Sequence, residues 1–236
     1  MLCHTYVFAW SFTICKFPAQ KPRISRLAQK SLQKHYTAIR NKIMADKIYA
    51  IASDIHGSAK WCEKFLAAAE KAGADKLLLL GDLLYHGPRN DLPEEYDTKK
   101  VVKLLSAVKD KIVCVRGNCE AEVDQMVLPF PCLADYALFP YVYGGENGEK
   151  FSDLFLTHGH LYSAENPPLL NAGDVLFNGH FHVPCHKRLE NGAYYLNCGS
   201  VSLPKENSPH SFVLLQGGRF VWIDLATGKP FDEFSL

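Results

Sequence analysis

The sequence predicts a mixed α/β body with two β-sheets, and two observations lead to this prediction. From about residue 47, short apolar runs alternate with amphipathic helical segments in the order strand, helix, strand, helix, strand. This order is typical of a parallel sheet covered by helices. Six further strand-like runs then follow with no comparable helices between them, which is too many for one open parallel sheet.

The first five predicted elements form a βαβαβ pattern. Residues 47–53 (KIYAIAS) are rich in strand formers, and 58–72 place apolar side chains at helical spacing. Gly73 then stands where a helix C-cap falls. Each predicted strand is followed by polar residues. The further predicted bounds are 77–80 and 112–115 for strands and 97–108 for the second helix.

The later strands are short and alternate apolar with polar residues, which is typical of half-buried sheets. Gly217 and Gly218 predict a hairpin turn between the last two. The predicted strands are 136–143, 154–157, 175–178, 194–197, 212–216 and 220–223.

Charge is distributed unevenly along the chain. The 236 residues have a formal net charge of +1, but residues 1–43 contain eight basic residues and no acid. From Met44 onward, 18 basic residues stand against 25 acids, a net charge of −7. We therefore expect a basic N-terminal extension, 1–43, outside the fold, and a domain over 44–236. The acidic domain argues against polynucleotide substrates.

The extension has two interpretations that remain open. An acid-free segment rich in Lys and Arg is typical of a targeting peptide. Alternatively, Met44 is the initiator and 1–43 arises from a start-site error, because MADKIYAIASDIHG reads like the start of a protein. The chain has no apolar stretch of the roughly 18–20 residues that a membrane span needs.

The eight cysteines form no C-x-x-C pair and no repeating framework. In a chain of this length, such a pattern favours reduced thiols in a cytosol-like compartment, so we expect a cytoplasmic protein.

Metal-type ligands follow five predicted strands. A rigid strand end with a neighbouring glycine is a suitable mount for a ligand. Each motif alone is weak, but five in succession favour a metal site. GH-x-H is the most specific, because alternation along an extended chain places both imidazoles on one side. The motifs are Asp54-x-His56, Gly81-Asp82, Gly117-Asn118, His158-Gly159-His160 and Gly179-His180-x-His182.

The donor set indicates which ions to expect. Carboxylate, amide and imidazole together suit borderline divalent ions such as Mn, Fe, Zn or Ni, and suit a calcium site poorly. More donors are present than one tetrahedral ion needs. Two ions that share a carboxylate would account for the surplus.

Taken in order, these motifs resemble those of the calcineurin-like metallophosphoesterase superfamily over nearly all of 47–223. The segments GDLLYHGPRN, VRGNCEAEVDQM, FLTHGHLYSAEN and NCGSVSLPK are similar to the YfcE-type branch of small bacterial phosphodiesterases. The resemblance implies a four-layer α/β/β/α sandwich with a dinuclear metal site at the strand ends. It also implies a hydrolase, and small members of this fold are often homo-oligomers.

The resemblance also divides the ligands between two ions. It implies manganese as the first candidate, with zinc, iron, nickel or magnesium as alternatives. The first ion takes Asp54, His56, Asp82 and His182. The second takes Asp82, Asn118, His158 and His180, with Asp82 as the bridge.

The implied reaction is hydrolysis of a small phosphodiester by a metal-bridging hydroxide. Two cations about 3.5–4 Å apart lower the pKa of a shared water and clamp the phosphoryl oxygens. Many superfamily members have His where this chain has Cys119, and a thiol is a poorer proton donor. We therefore expect either that diesters with poor leaving groups are cleaved slowly, or that His86 or His160 donates the proton in place of Cys119.

Residues 86–90 (HGPRN) closely follow Asp82. We expect His86 and Arg89 to contact substrate, since an arginine binds a phosphate bidentately. The alternative is a solvated surface turn. The segment Asn197-Cys198-Gly199-Ser200 also resembles a family segment near the site, and packing at a strand end explains it equally well.

Two other functions remain open. An interaction scaffold with this fold needs no activity. A phosphomonoester, a cyclic nucleotide or a nucleic acid is the alternative substrate on the same site. All seven ligand positions hold metal-binding residues, which favours the enzyme.

Overall fold

The computed structural model describes residues 47–145 and 148–236. The expected extension 1–43 and the proposed start at Met44 lie outside this part of the chain. Three α-helices of the described residues precede most of the strands: α1 (Ala59–Lys71), α2 (Thr98–Ala107) and α3 (Glu122–Val127). None of the helices in the described part is long and apolar enough to cross a membrane.

In the part of the chain that the structure describes, eleven strands are distributed over two sheets. The first three are β1 (Tyr49–Ala52), β2 (Lys76–Leu79) and β3 (Ile112–Cys114). The next five are β4 (Tyr136–Gly145), β5 (Gly148–Thr157), β6 (Val175–Asn178), β7 (Cys185–Arg188) and β8 (Tyr194–Asn197). The last three are β9 (Ser211–Gln216), β10 (Arg219–Asp224) and β11 (Pro230–Ser235).

The first sheet has the order β11-β10-β9-β1-β2-β3, and the second has the order β4-β5-β6-β8-β7. β1, β2 and β3 are parallel, and so are β5, β6 and β8. The remaining pairs are antiparallel. The predicted two-sheet α/β body is therefore confirmed, with its βαβαβ first half.

Two apolar layers stabilise this architecture. The first lies between the helices and the first sheet and includes Phe65 of α1, Leu105 of α2 and Leu79 of β2. The second lies between the two sheets and includes Phe177 and Trp222. Side chains of β1 alternate between the two layers, which is why its four residues are all buried.

The helix termini follow the sequence signals. The Ser58 side chain accepts a hydrogen bond from the Trp61 N–H at 3.3 Å and caps α1. Gly73 just beyond α1 has φ of 75°, as expected for a glycine after a helix. Asp97 caps α2 by accepting from the Lys100 N–H at 2.9 Å.

Several elements differ from the prediction. The β4–β5 hairpin is longer, and α3, β7 and β11 were not predicted. α3 buries none of its residues, and β7 and β11 carry mostly exposed or half-exposed side chains, so these elements lack the apolar signal that reveals the others. Within the described residues, the outer face of the second sheet packs against side chains from the loop 158–174, where the resemblance implied a helix layer.

Candidate metal centre

The ligand candidates converge at one end of the two-sheet sandwich. Asp54 and His56 follow β1, Asp82 follows β2, and Asn118 follows β3. His158 follows β5 of the second sheet, and the GH-x-H segment follows β6. Parallel strands end at the same edge of a sheet, so the topology brings together residues as far apart as 54 and 182.

The first group of donors surrounds His56. The His56 Nε2 atom lies 3.5 Å from Asp54 Oδ1, 3.6 Å from Asp82 Oδ2 and 3.4 Å from His182 Nε2. His182 Nε2 is 3.1 Å from Asp54 Oδ1. These four residues are buried. They are the set that the resemblance implied for the first ion.

The second group surrounds His158. Its Nε2 atom lies 3.1 Å from Asn118 Oδ1, 3.1 Å from His180 Nδ1 and 3.4 Å from Asp82 Oδ2. Asp82 is thus close to both His56 and His158. The second group is more open than the first, because Asn118 is exposed and His180 is partly exposed.

Backbone carbonyls orient three of the histidines. The Nδ1 atoms of His56, His158 and His182 lie 2.7, 2.7 and 2.5 Å from the carbonyl oxygens of Tyr85, Leu80 and Leu203. A carbonyl only accepts, so each Nδ1 carries a proton and each Nε2 faces the cluster, where its lone pair can bind a metal ion when the ring is neutral. This arrangement is typical of metal-ligating histidines.

When the imidazoles are neutral, the cluster consists mainly of acceptors that face other acceptors. The Asp54 Oδ1 atom is buried and has no hydrogen-bond partner. Unpaired lone pairs at 3.1–3.6 Å in a buried site are unfavourable unless protons or metal cations lie between them. The residues present consequently fit two bound divalent ions.

The pKa values have the same physical origin. Burial favours the neutral acid, but the imidazoles of His182 and His158 outweigh it and hold the pKa of Asp54 well below its usual value. Burial opposes charge on His158, yet the carboxylates of Asp54 and Asp82 raise its pKa to about 9. Burial and the neighbouring His158 lower the pKa of His180 to about 4. The two carboxylates thus attract positive charge to the cluster.

The backbone at the ligands is strained. Asp54, His56, Asp82, His180 and His182 all have positive φ, between 47° and 62°. This left-handed region is unfavourable for residues other than glycine. It also shows that the reason given for GH-x-H is wrong. His180 and His182 do not alternate along an extended strand, and each contacts a different group of donors.

Two glycines allow the close approach of these loops. A Cβ atom at Gly179 would lie 2.6 Å from Asp54 Oδ2, and one at Gly117 would lie 2.5 Å from the Asp82 nitrogen. At these two positions a larger residue would clash with the neighbouring ligand loop, which agrees with the role predicted for glycine beside the ligands.

Glu120 supports the bridging position, and the sequence did not reveal it. Its carboxylate accepts N–H bonds from Asp82 at 2.9 Å, Leu83 at 2.7 Å and Gly117 at 2.5 Å. Burial and the charge of Asp82 raise its pKa to about 7. Glu120 lies in the family-like segment VRGNCEAEVDQM, but only the fold shows that it fixes two ligand loops.

The 197–202 segment holds the first ligand loop in place. The hydroxyl groups of Ser200 and Ser202 each donate to the Asp54 carbonyl at 3.0 Å, and Asn197 Nδ2 donates to the Gly179 carbonyl at 2.6 Å. Both alternatives considered for this segment hold in part. It is a packed strand end, and its polar groups position the loops that carry the ligands.

Cys119 lies at the edge of the cluster. Its thiol is within 4.8 Å of ligand atoms of His56 and Asp82 and 3.2 Å from Asn118 Nδ2. Its N–H donates to Asp82 Oδ1 at 2.9 Å. Burial and then the Asp82 charge raise the pKa of the thiol, so it stays protonated at neutral pH.

A cleft of about 360 Å³ opens over the donors. Arg89 lies in its wall, as do Gly87, Pro88 and Asn90. His86 does not, because its ring packs edge-on against Tyr96 at 5.3 Å. His160 is also outside this wall, with its ring centroid 5.5 Å from that of His158. Phe181 and Lys205 line the cleft and were not singled out from the sequence.

Comparison with known proteins agrees with this geometry. Residues 48–217 match the Calcineurin-like phosphoesterase superfamily domain. Over 164 residues the chain is 46% identical to phosphodiesterase YfcE of Escherichia coli strain K12. The match covers 70% of this chain and 84% of that protein. The YfcE proteins of strains O6:H1 and O157:H7 match equally.

A solved structure, described as Yfce, a phosphoesterase from E. coli, has the same fold. It superposes with a TM-score of 0.73 at 41% sequence identity and covers 80% of this chain and 98% of its own. The family match covers most of the chain, and the two sheets end in the expected donors. The chain therefore belongs to the calcineurin-like phosphoesterase superfamily.

Proposed function

We propose that this protein is a divalent-metal-dependent phosphodiesterase that hydrolyses small phosphodiesters. The observation that carries the proposal is the inward-facing donor cluster around His56 and His158, with its unpaired Asp54 Oδ1. The similarity to a phosphodiesterase over 84% of that protein's length supports the reaction class. The acidic body and the cleft of about 360 Å³ favour a small substrate over a polynucleotide.

The ligand assignment follows the two donor groups. One ion would be held by Asp54, His56 and His182, and the other by Asn118, His158 and His180. Asp82 would bind both ions. Two bound divalent ions supply Lewis-acid polarisation of a phosphoryl oxygen and a water of lowered pKa. We expect manganese, because mixed oxygen and nitrogen donors suit a borderline ion, and other ions of this class compete by availability.

The chain's own residues bind and orient the substrate. Arg89 is exposed in the cleft wall, and its guanidinium suits a phosphoryl oxygen. Cys119 borders the cleft with its thiol protonated, and we assign it contact with the leaving-group side without efficient proton donation. His160 and His86 are not among the residues that line the cleft, and their contact with substrate stays a prediction.

A metal-reconstitution assay tests the proposal. The full chain is stripped with a chelator, reloaded with Mn²⁺ or another divalent ion, and assayed on bis(p-nitrophenyl) phosphate beside p-nitrophenyl phosphate. We expect metal-dependent turnover of the diester in preference to the monoester. Asp82→Ala should abolish turnover and reduce the metal stoichiometry, whereas Asp153→Ala, on an exposed strand position, should do neither.

The alternative functions give different results in that assay. Metal binding without turnover of either ester would favour the interaction scaffold. Preference for the monoester would favour a phosphatase and leave the metal centre intact. Retention of both metal and activity in Asp82→Ala would contradict the bridging assignment.

We further propose that the protein forms a homo-oligomer and works in a reducing compartment such as the cytoplasm. The hairpin β4–β5 exposes Leu138 (61%) and Phe151 (70%), a candidate contact between two copies. Six cysteines of the described residues carry free thiols, which agrees with reducing conditions. Light scattering of wild type and of Leu138→Lys would test the first proposal, which predicts a smaller mass for the variant.

A further inference from the structure

The side chains of two residues of the cleft wall, Phe181 and Lys205, have no part in the ligand set or its support. Phe181 lies between His180 and His182 in sequence, and the residue is 41% exposed. The ring centroid lies 5.2 Å from that of His180. Lys205 comes from the segment after β8 and is also exposed. Phe181 thus presents an aromatic surface beside a polar, charged cluster.

The backbone of Lys205 is fixed to a metal-ligand candidate. Its N–H donates to the His182 carbonyl at 3.1 Å, and its own carbonyl accepts from the Ser208 N–H at 3.0 Å and the Ser208 hydroxyl at 2.6 Å. Glu206 and Asn207 close this turn with φ of 53° and 58°. The backbone position of Lys205 is therefore set by the site itself.

The ammonium group of Lys205 has no ion-pair partner among the described residues, in contrast to the lysines at 60 and 100. Arg89 elsewhere in the same wall has none in that part of the chain either. If two divalent ions and Arg89 oppose the charge of the reacting phosphoryl group, the positive charge of Lys205 is in excess for a simple diester. A second anionic group on the substrate would balance it.

We propose that Phe181 and Lys205 form a subsite for the ester group of the substrate, and that this group is a planar heteroaromatic ring with a further anionic substituent. A nucleoside that carries an additional phosphate has this chemistry. The base would stack on Phe181, and the second phosphate would contact the Lys205 ammonium. This subsite rests on the proposed phosphodiesterase function and defines its substrate class.

Three substrates with one leaving group isolate the two contacts. Methyl p-nitrophenyl phosphate offers neither a base nor a second anion. The 5′-p-nitrophenyl ester of thymidine 5′-phosphate adds the base, and the same ester of thymidine 3′,5′-bisphosphate adds the anion. Since p-nitrophenolate leaves in each case, differences in kcat/KM report recognition of the other ester group.

The subsite predicts a specific pattern of losses. Phe181→Leu should lower kcat/KM about tenfold for both thymidine esters and leave the methyl ester unchanged, since one stacked base is worth roughly 5- to 150-fold. Lys205→Met should remove an advantage of about fivefold for the bisphosphate ester, chiefly through KM, and Lys205→Arg should retain it. The preference of wild type for the bisphosphate ester should weaken as salt rises.

Matched controls separate the subsite from general effects. Phe231→Leu changes a phenylalanine that is also 41% exposed, and Lys229→Met changes an exposed lysine outside the cleft wall. Both should behave like wild type. Metal stoichiometry should be unchanged in every variant.

Equal losses on all three substrates, or no loss for Phe181→Leu and Lys205→Met, would overturn the subsite. Failure of wild type to hydrolyse any diester would instead refute the proposed function. In that event, titration calorimetry with thymidine 3′,5′-bisphosphate still tests the subsite. Tighter binding by wild type than by Lys205→Met supports it, and equal binding overturns it.

Discussion

Glu120 offers the sharpest test of how the fold positions the metal ligands. Its carboxylate holds three backbone N–H groups from two loops, those of Asp82, Leu83 and Gly117. It is not a ligand candidate itself. We therefore treat it as a positioning residue and compare Glu120→Gln with Glu120→Ala.

The structure gives the expected size of each effect. One oxygen, Oε2, accepts from Asp82 and Gly117, while Oε1 accepts from Leu83 alone. Glutamine retains one acceptor oxygen, so at least one buried N–H loses its partner at a cost of about 1–3 kcal/mol. Alanine leaves three N–H groups unpaired, and we expect it to lower the free energy of unfolding by about 3–5 kcal/mol.

The effect on metal binding distinguishes positioning from stability alone. Asp82 has φ of 54°, a conformation that its N–H bond to Glu120 helps to hold. Removal of a group that orients a ligand typically weakens metal affinity about 10–100-fold. Glu120→Gln, which should still fold, is therefore expected to bind Mn²⁺ at least tenfold more weakly.

Urea unfolding and calorimetric Mn²⁺ titration of chelator-treated protein provide the two measurements. Glu122→Gln, an exposed glutamate two residues further along, is the control and should change neither value. The reasoning is refuted if the free energy of unfolding of Glu120→Gln lies within about 0.5 kcal/mol of the wild-type value and the variant binds Mn²⁺ with the same affinity. Loss of stability with unchanged affinity would restrict Glu120 to a structural role.

Three further outcomes are expected. Cys119→Ala should change the rate of aryl diester hydrolysis by no more than about twofold, because a thiol of raised pKa is a poor acid. Cys119→His should accelerate hydrolysis of alkyl diesters about tenfold or more. Equal rates for wild type and both variants would exclude a role for this position. Gly179→Ala should weaken metal binding and lower the free energy of unfolding by about 1–3 kcal/mol, since its Cβ would lie 2.6 Å from Asp54 Oδ2. The control Gly144→Ala should change neither, because a Cβ at that position meets nothing within 4 Å. Chelation should lower Tm by about 5–10 °C relative to protein at 100 times the Kd for Mn²⁺, by mass action, and a Tm that does not respond to metal would count against the ligand cluster.

The sequence predicted the parts of the fold that bury apolar side chains in a regular pattern. β1, β2 and β3 were found because buried parallel strands read as short apolar runs. α3, β7 and β11 were not, since their exposed side chains follow no such pattern. The ligand candidates were found for a related reason, because a donor after a buried strand has a predictable place at the sheet edge.

What the sequence could not provide was the direction of each donor and its support. The strand-end argument explains why His180 and His182 are near the site, but alternation did not predict that they contact different groups of donors. That separation arises from two left-handed residues in the loop after β6. Glu120, Lys205 and Phe181 lie in segments without periodicity, so their places depend on long-range packing.

Backbone strain links the fold to the proposed chemistry. Five ligand candidates occupy the left-handed region, at a cost of about 1–2 kcal/mol for each residue. Their positions are fixed by contacts that come from elsewhere in the chain: the Glu120 carboxylate, the Ser200 and Ser202 hydroxyls, and the carbonyls that face three Nδ1 atoms. These contacts also set the lone pairs of the ligands toward one another. The core and hydrogen bonds of the two-sheet body therefore offset an arrangement that is unfavourable by itself, and binding of two cations would convert the opposed lone pairs into stabilising interactions.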